Sequence, residues 1–181
     1  LQRINLVDGR VFLYDENTYE LRQENKERPN LGEKVQGLFT RFMRVTPRGD
    51  LIFRTTSGTT PGKYWYQTIR FLDLDKVKDR KDLTDMEKVK LLYEGDIAVW
   101  CNDPSWLYYW QYRGTRRGFS IKPEYRPHRR NPEIPGTTCK HIERVLSVLG
   151  FHMTTIVKQY RRYGIFKHES ESFEGDANEN V

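Results

Sequence analysis

The sequence predicts an α+β fold, with a β-rich first half and a small helical second half, on three observations. Residues 37–72 hold three strand-like runs separated by turn signals. The clearest helical periodicities fall after residue 136. Aromatic residues make up 13% of a 181-residue chain that is otherwise polar, at 36% hydrophobic and 31% charged with a mean hydropathy of −0.82. Large rings bury much area apiece, and a chain without a core would be poor in them. That length supports one ordinary core with room for a small appended module.

Arg10 to Tyr14 is strand-like and is opened by the turn signal Asp8-Gly9. Glu20 to Lys34 is polar and broken by Pro29, Asn30 and Gly32, which marks an extended arm. Gly37 to Val45 and Leu51 to Thr56 are β-rich runs joined by Pro47-Arg48-Gly49-Asp50, a hairpin connection. Gly58, Pro61 and Gly62 make the next turn. In Tyr64 to Leu72, Trp65, Ile69 and Phe71 alternate with Tyr64, Tyr66 and Arg70, as in a half-buried strand. Thr84-Asp-Met-Glu87 is a capping-box signature, followed at helical spacing by Met86, Val89 and Leu92, with Gly95 as the stop.

Asp96 to Cys101 then predicts a strand that delivers Cys101 at its tip. Pro104 opens a helix over Ser105 to Arg113, a stretch dense in Trp and Tyr. The insert from Thr115 to Gly136 carries Pro123, Pro127, Pro132 and Pro135 and is expected to be extended. Thr137 to Leu149 places Ile142, Val145, Leu146 and Leu149 on one helical stripe, with Thr137 or Thr138 as cap and Gly150 as terminator. His152 to Tyr163 predicts a second helix with Met153, Ile156, Val157 and Tyr160 inward and Gly164 at its end. His152 and His168 stand alone and are expected at the surface. These elements divide the chain into a strand and arm (1–36), a β-rich segment (37–95), a module ending in two helices (96–168) and an acidic tail (169–181).

The chemistry concentrates in two short pairs. The only two cysteines each stand two positions from another metal-binding side chain, in Cys101-Asn-Asp103 and Cys139-Lys-His141. Zinc is held by thiolate and imidazole in a closed tetrahedron, and two pairs from separate elements can supply it. Such i, i+2 pairs suit a strand end or turn better than a helix face. A metal here would fasten a loop with little core of its own and so contribute folding energy directly.

Cys-x-Asp, a long insert and Cys-x-His, followed at once by the helix Ile142-Glu-Arg-Val-Leu146, resembles the SWIM-type zinc finger, whose pattern is Cys-x-Cys and Cys-x-His. The run from Cys101 to Trp110, with Arg130, Pro132, Gly136, Cys139 and His141, is similar to a SWIM-like variant of virion-associated proteins from tailed bacteriophages. The resemblance covers about residues 96–149 and implies bound zinc, a SWIM-like module, and a structural role among other virion proteins. Asp103 departs from the pattern by standing where a second Cys is usual. Three arrangements stay open: Asp103 replaces the thiolate, His128 from the insert completes the site, or the metal is lost and the aromatic cluster keeps the fold.

Net charge is +6, but the imbalance is local. Arg113, Arg116, Arg117, Lys122, Arg126, Arg129 and Arg130 face only Glu124 within their stretch, whereas the tail after His168 has Glu169, Glu171, Glu174, Asp176 and Glu179 and no Lys or Arg. The basic block fits an anionic partner, an intramolecular pairing or a plain solvated face. Beside Trp106 and Trp110, the arginines of 113–130 define a candidate surface for a protein partner or, alternatively, for DNA.

No apolar run approaches membrane-spanning length, and no signal peptide is visible. The first residue is Leu1 rather than Met, which fits a segment removed from or lying before it. Residues 57–63 superficially resemble a phosphate loop but lack its glycine spacing. No Ser-His-acid set or deaminase signature appears. The expectation is a non-enzymatic virion protein, without a small-molecule substrate or membrane contact.

Overall fold

The computed structural model describes residues 3–7, 10–14, 22, 26, 30–126 and 137–167. His128, Arg129, Arg130, His168, the acidic tail and most of the arm therefore lie outside the described residues.

The architecture is α+β. Strands β1 (Arg3–Val7) and β2 (Arg10–Tyr14) pair antiparallel as a separate two-stranded sheet. The main sheet is an antiparallel meander of β3 (Thr40–Val45), β4 (Leu51–Thr56), β5 (Tyr64–Phe71) and β6 (Ile97–Cys101), in that spatial order. The first three strands are joined by the two turns predicted from Gly and Pro, whereas residues 72–96, which hold two helices, link β5 to β6. At the first, Gly49 has φ +86°, and an added Cβ would meet Leu74 Cδ2 at 2.2 Å. Glycine is thus required there on both conformational and steric grounds.

The helices follow: α1 (Leu31–Gln36), α2 (Leu74–Val77), α3 (Asp85–Glu94), α4 (Gln111–Arg117), α5 (Lys140–Val148) and α6 (Met153–Arg162). Helix α5 packs on β4, β5 and β6, and α6 bridges β3 and α3. Leu51, Phe53, Ile69 and Phe71 from the sheet meet Val89, Leu92, Ile142, Val145, Leu146, Ile156 and Tyr160 in one buried cluster. Strand β6 completes the sheet begun in residues 37–95, so the strands and the later helices share that core. Tyr160, buried in it, donates its hydroxyl to the carbonyl of Gly49 at 2.9 Å.

Several expectations need correction. Leu31–Gln36, assigned to the arm, is helical, because Leu31 and Val35 bury against α5. The insert is not extended from its start, since α4 runs to Arg117 and ends where Gly118 adopts φ 80°. Within the expected helix after Pro104, Trp106–Trp110 forms a π-helical turn closed by Gln111 N–H to the Trp106 carbonyl. Neither Thr137 nor Thr138 caps α5; Cys139 holds that position, and both threonines are buried. Gly150 does not end the helix region, because a 3-10 turn over Leu149–His152 leads straight into α6. Met86 is exposed, and Met153 is only half-buried. His152 is half-buried rather than freely exposed: its ring sits 5.7 Å from that of Phe42 and 5.5 Å from that of Phe53.

Candidate metal centre

Strand β6 ends at Cys101 because Asn102-Asp103-Pro104 breaks it. The Asn102 N–H still donates to the Tyr66 carbonyl, while the Asp103 carbonyl accepts from Trp106 N–H at 2.9 Å and begins the next helical turn. Cys101 is thereby fixed at the inner tip of the sheet. Across from it, Cys139 is the extended residue before α5, and His141 is the second residue of that helix. The apolar stripe that presses α5 onto the sheet carries this pair down to Cys101. Both halves of the sequence-predicted site therefore meet, although 37 positions separate Cys101 from Cys139.

One ligand atom from each of Cys101, Cys139 and His141 lies within 4.8 Å of the others. A tetrahedral zinc holds its sulfurs about 3.8 Å apart, given bonds of about 2.3 Å, so small side-chain adjustments suffice to close the trio on one ion. The cysteines are free thiols with no exposure, and His141 is 1% exposed. Neither imidazole nitrogen has a hydrogen-bond partner among the described residues. A buried imidazole without hydrogen bonds is costly, even with the Asp103 carboxylate 3.3 Å from Nδ1, and a metal ion removes that cost at one nitrogen. The residues present thus fit a soft or borderline divalent metal such as zinc.

Asp103 stands apart from the trio. Its Oδ2 lies 3.3 Å from His141 Nδ1, at ion-pair distance, and is buried without a hydrogen bond. A carboxylate beside the second nitrogen of a ligating histidine is the usual device for fixing ring orientation. Burial disfavours a charged imidazole, but Asp103 and Cys139 outweigh it and raise His141 to about 9. Burial pushes the Cys139 thiol well up, and Cys101 adds to that while His141 opposes it. Without metal the pocket therefore holds its protons, and a bound cation must displace them.

One contributor gave no motif in the sequence. Gln67, fully buried on β5, directs Nε2 toward Cys101 Sγ at 3.5 Å, and the Asp103 N–H approaches the same sulfur at 3.4 Å. The available signal was its parity, since Gln67 shares the inward face with Trp65, Ile69 and Phe71.

The candidate contact residues divide. Trp106 and Trp110 are buried at 0% and 2% exposure, which removes them from any contact surface and places them in the core. Arg113, Arg116 and Arg117 are half-buried; the Arg116 guanidinium lies 5.9 Å from the Tyr112 ring centre and that of Arg117 lies 5.7 Å from Phe119. Arg126 is exposed, and its N–H donates to Glu124. Among the described residues, no helix is long and apolar enough to cross a membrane. No family model, no curated protein and no solved structure matches the chain.

Proposed function

We propose that this is a non-enzymatic structural or assembly protein whose second half is fastened by a zinc ion held by Cys101, Cys139 and His141. Asp103, beside the imidazole, and His128, outside the described residues, are the two further candidates for the fourth position. The observation that carries the reading is the burial of the trio with its ligand atoms within 4.8 Å of one another. A catalytic zinc keeps a coordination position that substrate can reach, whereas a structural zinc is closed. A trio sealed under α5 belongs to the second kind. Zinc would supply cross-linking there, tying the end of β6 to the start of α5.

The SWIM-like likeness of residues 96–149 gives the setting: a bacteriophage particle, with neighbouring virion proteins as partners. Exposed Phe39, Tyr108, Tyr125 and Phe151 offer the apolar and aromatic anchors that protein contacts use. DNA binding through the arginines of 113–130 is the rival reading, and it has lost the stacking surface expected from Trp106 and Trp110. Retention of co-purifying macromolecules across a salt series separates the two. On the assembly reading, virion proteins stay bound to the tagged full chain from about 0.1 to about 1 M salt. Co-purification of nucleic acid that is released steeply with salt would establish the rival instead.

A further inference from the structure

A line of polar side chains crosses the main sheet and ends at the candidate metal centre. Thr40 on the edge strand β3 and Thr55 on β4 have their hydroxyl oxygens 2.8 Å apart. The Thr55 hydroxyl donates to Gln67 Oε1 on β5 at 2.8 Å, and Gln67 Nε2 in turn donates toward Cys101 Sγ on β6. Each of the four strands contributes one member. Thr55, Gln67 and Cys101 are all at 0% exposure within an otherwise apolar face.

The directions along this line are linked. A hydroxyl has one hydrogen, so Thr55 can donate to Gln67 only by accepting from Thr40. That arrangement turns the amide N–H toward sulfur. The reverse arrangement would aim Oε1 at Cys101, which suits a thiol donor but repels a thiolate. A glutamine buried here, where leucine or methionine would pack without polar cost, is stabilising only if its amide has work at both ends.

We propose that Gln67 is a positioning residue of the metal centre, its amide N–H aimed by Thr55 and Thr40 to hold the Cys101 sulfur as a metal-bound thiolate. This rests on the metal reading above and deepens it. The ligand class is a divalent ion that accepts thiolate, and the Asp103 N–H is the second donor to the same sulfur. Donors of this kind remove electron density from sulfur and fix its lone pairs, and their loss weakens metal binding by about tenfold or more.

The test uses cobalt(II) as the probe on the full chain, read by the sulfur-to-cobalt charge-transfer band in the near ultraviolet and by competition with a chelator. The unsubstituted protein is expected to bind one cobalt ion and show the band. In Gln67→Met the sulfur lone pairs rise in energy, so the band moves to longer wavelength and affinity falls by about tenfold or more. Thr55→Val leaves the amide in place but unaimed, and it moves the band the same way by a smaller amount; this variant decides the matter if Gln67→Met does not fold. A purely packing role would alter stability and leave the band where it is. Cobalt binding with an unmoved band in the folded variants overturns the role of Gln67 while keeping the metal centre. No cobalt binding by the unsubstituted protein overturns both.

Discussion

At the level of single residues, the candidate metal trio was legible because its chemistry is rare in this chain. With only two cysteines, the i, i+2 neighbours Asp103 and His141 stood out against the composition. How they share the work was not legible: a carboxylate is compatible with ligation or with orientation, and spacing alone does not show that its Oδ2 lies 3.3 Å from His141 Nδ1. The ring contacts of the half-buried His152 were not legible, because an isolated histidine carries no signal of its neighbours. Burial between Phe42 and Phe53 lowers its pKa from 6.5. A base depressed in the folded state stays neutral there while its unfolded counterpart takes up a proton. Its contribution to stability is therefore present above about pH 6.5 and is lost as pH falls through the folded value. Thermal melting between about pH 7.5 and 5.5 should show a shallower acid-side decline in His152→Leu than in the unsubstituted protein. Equal slopes in the two proteins would contradict that account.

At the level of elements, β4 matched its predicted bounds and β5 ended one residue early, because their side-chain alternation is uninterrupted. Helix α3 was also foreseeable. Thr84 Oγ1 accepts from Glu87 N–H at 3.3 Å, and Glu87 Oε2 accepts from Thr84 N–H at 2.8 Å. The Thr84 hydroxyl, donating to Glu87 Oε2 at 2.7 Å, and then the Thr84 N–H hold the Glu87 carboxyl below its ordinary range. Thr84→Ala removes the cap, and chemical denaturation should register a loss of about 1 kcal/mol, whereas Thr84→Ser should lose much less. Equal stability of the alanine variant would show that tertiary packing, not the cap, sets this end. Helix α1 was hidden for the opposite reason: Asn30 and Gly32 read as loop, and only burial of Leu31 and Val35 overrides them. The π-helical turn at Trp106–Trp110 was equally invisible, since one wider turn leaves the same run of residues in the chain.

At the level of the whole molecule, the α+β class followed from the placement of the periodic segments. The shared core did not, because sequence periodicity shows which side of an element is apolar and not which element covers it. Here the stripe of α5 covers β4 to β6, and that packing is what draws Cys139 and His141 onto Cys101. We propose that a zinc ion completes this junction. An ion bound to the native state alone, at about a thousandfold excess over its dissociation constant, adds about 4 kcal/mol. For a chain of this size that is on the order of 10 °C in melting temperature. The decisive measurement is zinc content per chain together with melting before and after chelation, in the native protein and in Cys139→Ser. The expected result is one zinc per native chain, a chelator-induced drop on the order of 10 °C, and a metal-free Cys139→Ser that already melts low and ignores the chelator. A native protein without zinc, whose melting neither chelator nor Cys139→Ser disturbs, would contradict it.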